Sequence, residues 1–364
     1  MRMREHGHIY YFDYLRILAL LSVIFMHTAS GPLRAGLGLN WMFLNLGTSL
    51  AFTAVPLFFM MSGYLLLSSE KTRSIPVLFR KRLPRLIFPL ITWTVIAAVR
   101  LLISNFTFRG FASKLVEALS QPIMVHFWFM YTLIAIYLIS PFLHAGFHGL
   151  DRNGKLLIFV LIALVFFQTL CKQLAPSSID RYFNLSIINA VQFFDRHLCT
   201  FFLGYFLGSS KRRVPNWLLL SLGVLCLTGI TAGTYMLTAS SGVYDQTLQD
   251  QSACLEVLLA SCIFLFFKQN FNKKAPVLSD LLRPVVSLSF PIYLAHNILL
   301  SILPHFGINA TGFLDTIGIT LLVLALCFFA AMVASYIPPL CFPVNGLSVA
   351  DARISCRWHI GKKS

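Results

Sequence analysis

Acidic residues are scarce. The 364 residues hold 13 Asp and Glu against 29 Lys and Arg, and charged residues make up only 12% of the chain, about half of the ~25% usual in a soluble domain. Hydrophobic residues reach 57%. A water-soluble surface cannot be assembled from that composition, so a soluble globular protein is excluded. Cysteine pairing at redox or metal spacing is also missing. The eight cysteines include no C-x-x-C pair and sit mostly inside apolar runs, where a thiol acts as a small hydrophobe. No internal repeat, low-complexity tract or appended soluble domain is found. The net charge of +16 lies in clusters between apolar runs rather than on one face, which fits a membrane protein and not a nucleic-acid partner.

A helix crosses the hydrocarbon core with ~20 mostly apolar residues, because each adds ~1.5 Å of rise. Runs broken by Pro, Gly and charge predict spans near 11–31, 48–68, 85–104, 124–143, 155–171, 190–208, 217–238, 251–267, 285–303 and 315–340. The expected fold is all-α: a polytopic membrane protein of about ten transmembrane helices, with 1–345 as a single transmembrane domain and 346–364 as a basic cytoplasmic tail. The first run is long enough to span and lacks a small-residue cleavage site, so it is expected to be a retained helix. Of the 29 Lys and Arg residues, 21 fall on the side of the N-terminus and 7 on the other, with Arg16 inside the first span. Positive loops stay in the cytoplasm, so both termini are expected there, with the loops holding Ser178 and Gly242 outside. Membrane lipids are the surroundings, and the cell inner membrane is the expected location.

The first span reads Asp13-Tyr14-Leu15-Arg16 and then runs apolar to His27. Eleven residues are about three turns, which puts Arg16 and His27 on nearly one face, about 16 Å apart along the axis. An ionised Arg inside a span is costly and marks a functional candidate; the plain alternative is a snorkelling Arg16 paired with Asp13 and a packed His27. Ser62 and Gly63 on the second span are small enough for a neighbouring helix or an extended ligand to come close. Arg82 and Arg85, expected together in the first turn of the next helix, suit phosphates or serve as lipid and topology anchors. Trp128 belongs to an aromatic stretch opened by His126. Tyr293 and His296 lie within the ninth span, and Glu256 lies inside the eighth; together with Trp128 they are candidates for a polar cavity, with core hydrogen bonding as the plain alternative. His144 and His148 have helical spacing but no third ligand, and no metal site is expected.

These residues resemble the membrane-bound acyltransferase family 3. The family pattern of Arg, ten residues and His is matched by Arg16 and His27, its FF-x-x-SG-[FY] element by Phe58 to Tyr64, its R-x-x-R element by Arg82 and Arg85, and its IYL-x-H element by Ile292 to His296. The H-x-WF and YL-x-SP features between His126 and Leu143 belong to the same likeness. The resemblance implies acetyl-CoA as a cytoplasmic acyl donor, no permanently bound cofactor, and an acceptor hydroxyl on a glycan or glycolipid across the membrane. It implies His27 and Arg16 as the catalytic residues, Arg16 lining the donor path or helping to hold the donor, with Arg82, Arg85, Ser62 and Gly63 as donor contacts. Relatives with a fused extracytoplasmic esterase-like domain carry a second catalytic unit, which this chain is expected to lack.

A thioester is already activated, so such an enzyme supplies a base for the hydroxyl and donors for the developing oxyanion. The rival reading is a transporter or flippase for a lipid-linked sugar or small molecule, with Arg16, His27 and Glu256 as a polar pathway. No inverted repeat supports it.

Overall fold

A backbone removed from water must satisfy its own N–H and C=O groups, and a long apolar run does so as a helix. The computed structural model describes residues 8–103, 105–174, 195–273 and 276–348. Every regular element among them is helical: α1 (Tyr10–Ala29), α2 (Leu39–Ala51), α3 (Ala54–Leu67), a short α4 (Ile75–Val77), α5 (Pro84–Leu102), α6 (Phe108–Glu117), α7 (Trp128–Gly149), α8 (Arg152–Leu174), α9 (Arg196–Ser209), α10 (Asn216–Ser241), α11 (Cys254–Asn270), α12 (Pro276–Ser287), α13 (Ser289–Ile302), α14 (Phe313–Tyr336) and α15 (Pro338–Asn345).

Seven stretches are long and apolar enough to cross a membrane: Tyr10–Ala29, Leu39–Leu67, Ile75–Leu102, Val125–Gly149, Arg152–Gln173, Asn216–Ser241 and Phe313–Tyr336. They answer to seven of the ten expected runs. The other three fall on shorter helices, α9 with 14 residues, α11 with 17 and α13 with 14. Residues 190–194 of the expected sixth span, the Ser178 loop and most of the basic tail, Cys356 included, lie outside the described residues. The seven described cysteines are free thiols, six of them buried and Cys171 partly so.

Two boundaries differ from expectation. The second passage starts at Leu39 rather than residue 48, and breaks between α2 and α3, where Thr53 Oγ1 donates to the Leu50 carbonyl at 2.7 Å. The third begins at Ile75, because α4 continues through a π turn, Leu78–Arg82, into α5. There the Leu83 N–H reaches back five residues to the Leu78 carbonyl at 2.9 Å, the i→i+5 pattern that sets a π turn apart from an α turn.

The chain divides into two compact units. The first comprises residues up to 73, 142–273 and 310–314; the second comprises 74–141, 274–309 and the residues from 315 on. In the first, α1 packs on α2, α3 and α11, and α10 packs on α11 and α2. Leu15, Ala19, Leu20 and Ile24 of α1 are fully buried. The tightest pairing is α3 against α9, where small residues let the backbones meet. A β-carbon at Gly204 would lie 2.2 Å from Met60 Cα.

In the second unit, α5 packs against α6, α13 and α15. Trp93 Nε1 donates to the Val344 carbonyl at 3.2 Å and Arg100 Nη2 to the Ser301 carbonyl at 2.9 Å. Gly346 has φ +67° and sits so close to Arg85 that a β-carbon would be 2.4 Å from its carbonyl oxygen. Glycine is needed there twice over, for the left-handed conformation and for the approach.

Candidate functional site

In the first unit, α1 presents Arg16 near its start and His27 in its last turn, both half-buried. Arg16 Nη1 lies 4.0 Å from Asp13 Oδ1, and His8 Nε2 lies 2.5 Å from Asp13 Oδ2. The i,i+3 pairing of Arg16 with Asp13 is therefore present. Asp13 sits in the first turn of the helix, where a negative charge meets the positive end of the macrodipole. At the other end, Ser30 Oγ donates to the His27 carbonyl at 2.8 Å and fixes the chain as it leaves the helix.

Between the two ends, on the same face, stand Leu20 and Val23, at 0% and 1% exposure. One face of α1 thus carries a cation in its first half, a histidine in its last turn and two buried apolar side chains between.

Gly63 and Ser62 occupy α3. Gly63 is buried against α9, and a β-carbon there would fall 1.8 Å from the Phe201 carbonyl oxygen. Ser62, next to it, is half-buried. Glu256 occupies the first turn of α11, is fully buried, and has no hydrogen-bond partner for either carboxyl oxygen among the described residues. It forms no hydrogen bond with a histidine or with Arg16.

In the second unit, Tyr293 and His296 of α13 meet His126, which stands in a 3-10 turn, Val125–Phe127, just before Trp128. The His126 and His296 rings are 4.6 Å apart at 64°. His126 Nε2 lies 3.2 Å from the Leu294 carbonyl, and a carbonyl only accepts, so Nε2 carries the proton. Its Nδ1 then accepts from Asn297 Nδ2 at 3.3 Å. The Tyr293 hydroxyl donates to the His126 carbonyl at 2.5 Å, and His296 Nδ1 donates to the Tyr293 carbonyl at 2.5 Å. With Nδ1 protonated in this way, the neutral His296 ring keeps its lone pair on Nε2, the form a general base needs. Trp128 is half-buried, with its ring edge-on to Phe129.

Sequence reasoning singled out Tyr293 and His296 but not His126 or Asn297 as their partners. The H-x-WF element was the available signal for His126. Asn297 is the residue directly after the IYL-x-H histidine.

Arg82 and Arg85 are in the second unit too, but not together in a first helical turn. Arg82 is the last residue of the π turn and half-buried, whereas Arg85 follows Pro84 in α5 and is exposed. The Leu83, Leu86 and Ile87 N–H groups are bonded to preceding carbonyls. Those N–H groups are therefore not open to an anion, and what the segment offers one is its cationic side chains, Arg80 and Lys81 beside Arg82 and Arg85.

The His144 and His148 rings lie 4.3 Å apart, tilted by 41°, in the first unit, with His148 Nε2 donating to the Leu67 carbonyl at 2.7 Å. Among the described residues no three His, Cys, Asp or Glu side chains group as metal ligands.

The family model described as an acyltransferase domain, of acyltransferase family 3, matches residues 9–336. No curated protein and no solved structure matches the chain.

Proposed function

Because the chain belongs to acyltransferase family 3, whose model it matches over residues 9–336, we propose that it is an O-acetyltransferase of the cell inner membrane. It moves an acetyl group from cytoplasmic acetyl-CoA to a hydroxyl of a cell-surface glycan or lipid-linked sugar. About ten helices cross the bilayer in this reading, with both termini in the cytoplasm, as the Lys and Arg distribution favours. The features of His126 to Leu143 resemble the enterobacterial common antigen O-acetyltransferase, which favours a saccharide acceptor.

The observation that carries the reading is on α1: Arg16 and His27 share one face, with Leu20 and Val23 buried between them. The arrangement sets a cation in the first half of the helix apart from a proton acceptor in its last turn. His27 takes the proton of the acceptor hydroxyl as its oxygen bonds to the thioester carbonyl carbon. The tetrahedral intermediate then collapses, the C–S bond breaks, and the proton passes to the departing CoA thiolate. Arg82 and Arg85 hold the donor's phosphates, Ser62 and Gly63 border its path, and Arg16 lies beside the pantetheine arm.

Purified protein in detergent, given labelled acetyl-CoA and envelope glycan, is expected to form an acetyl ester, read as a gain of ~42 Da per modified sugar, the mass of the C2H2O added in acyl exchange. Absence of transfer to any glycan by folded protein would remove the proposal.

A further inference from the structure

Beyond the end of α1, the first unit holds a cavity of about 460 Å³, lined among others by Arg34, Gly36, Trp41, Thr238, Gly242 and Tyr244. Its size lies within the ~300–1,000 Å³ of small-ligand sites. It is built from the segment that leaves His27: Arg34 is seven positions on, at the end of the 3-10 turn Pro32–Arg34. The opposite wall is the C-terminal end of α10 and the loop that follows.

The aromatic walls are held in place by the protein itself. Trp41 Nε1 donates to the Leu33 carbonyl at 3.0 Å, and the Tyr244 hydroxyl donates to Gln249 Oε1. Gln249 is itself buried, and its amide donates to Asn45 Oδ1 and Ser49 Oγ, each at 2.8 Å, on α2. The Trp41 and Tyr244 rings meet edge-on, 6.3 Å apart. Gly36 and Gly242 have φ +117° and +70° and shape the two loops at the mouth.

Arg34 is exposed and is among the few cations on the side opposite the N-terminus, so topology does not account for it. Burial pushes the Tyr244 phenol up to about 12, and Arg34 lines the same cavity. Asp245, in the same loop, is occupied: its Oδ1 accepts from the Thr247 N–H at 2.8 Å.

We propose that this cavity is the acceptor subsite, receiving a pyranose ring of the saccharide against Tyr244, with Arg34 donating hydrogen bonds to its oxygens. Rigid aromatic faces and a fixed fork of N–H donors suit a sugar, whose rings have apolar faces and hydroxyl edges. One wall of the cavity, Leu33 to Leu37, belongs to the segment that continues from the helix of His27. The proposal rests on the glycan acceptor of the preceding reading and names where that acceptor sits.

The test uses the full chain in detergent, acetyl-CoA, and end-labelled tetrasaccharides of hexoses, hexosamines and hexuronates as acceptor probes. Arg34→Gln and Tyr244→Leu are expected to raise the acceptor KM at least tenfold with the KM for acetyl-CoA unchanged. Thermal unfolding of each variant identifies any loss due to misfolding. If the wild type transfers acetyl to a probe and folded Arg34→Gln and Tyr244→Leu keep its acceptor KM, the cavity is not the subsite. If the wild type acetylates no saccharide probe, the glycan reading itself fails and the subsite falls with it.

Discussion

Gly63 lies against the carbonyl of Phe201, so close that a single added carbon would sit 1.8 Å from the oxygen. A backbone carbonyl cannot swing aside as a flexible side chain does. The contact therefore sets the separation of α3 and α9, and the SG pair of the acyltransferase motif has a packing role whatever else it does.

Gly63→Ala is accordingly expected to lower stability by at least the ~1–3 kcal/mol of an overpacked core. Thermal unfolding in detergent reads it directly. A Gly63→Ala protein as stable as wild type but with weakened donor binding would make the residue a donor contact instead.

His27→Ala is expected to lose ~10²–10⁴ in turnover, the usual contribution of a positioned general base, while still binding acetyl-CoA. His296→Ala is the comparison, because His296 also presents a lone pair on Nε2. Turnover, donor binding and thermal stability measured together in both proteins decide between them. Full turnover in folded His27→Ala would move the base to the second unit.

Replacing both Arg82 and Arg85 by Gln is expected to raise the KM for acetyl-CoA more than it lowers kcat, since phosphate contacts far from the reacting carbon give mostly uniform binding. An unchanged donor KM in a correctly inserted protein would leave the pair as topology anchors. Single variants add a finer readout: the half-buried Arg82, at the end of the π turn, is expected to contribute more than the exposed Arg85.

Topology is checked by cysteine accessibility. Val243→Cys, in the exposed loop after α10, is expected to react with a membrane-impermeant maleimide added to intact cells, and Lys71→Cys only after lysis. The reverse pattern would invert the chain and exchange the donor and acceptor sides.

Much of this was legible from hydropathy alone. The apolar runs located seven long passages, and the spacing from Arg16 to His27 placed both on one face of α1, because helical periodicity is a local property. What stayed hidden is non-local or finer than a hydropathy window. The pairing of His126 with α13 joins residues more than 160 positions apart. The π turn before α5 depends on a single hydrogen-bond register, to which an apolar run is blind. The expected start of the second passage missed α2 because Asn40, Asn45 and Gly47 make its start read as a loop, although in the interior Asn45 accepts from Gln249 and donates to the Thr231 carbonyl. Glu256 was noticed, but its isolation from Arg16 and the histidines shows only in three dimensions.

The buried pair Leu20 and Val23 has an electrical consequence. A charge at the centre of a spanning helix costs ~2.5–3.5 kcal/mol even on insertion scales, and each elementary charge moved through a 100 mV potential exchanges ~2.3 kcal/mol more. The side chains of α1 between Arg16 and His27 therefore offer no relay of their own, and in the orientation proposed above a proton taken up by His27 would return to the medium on that side.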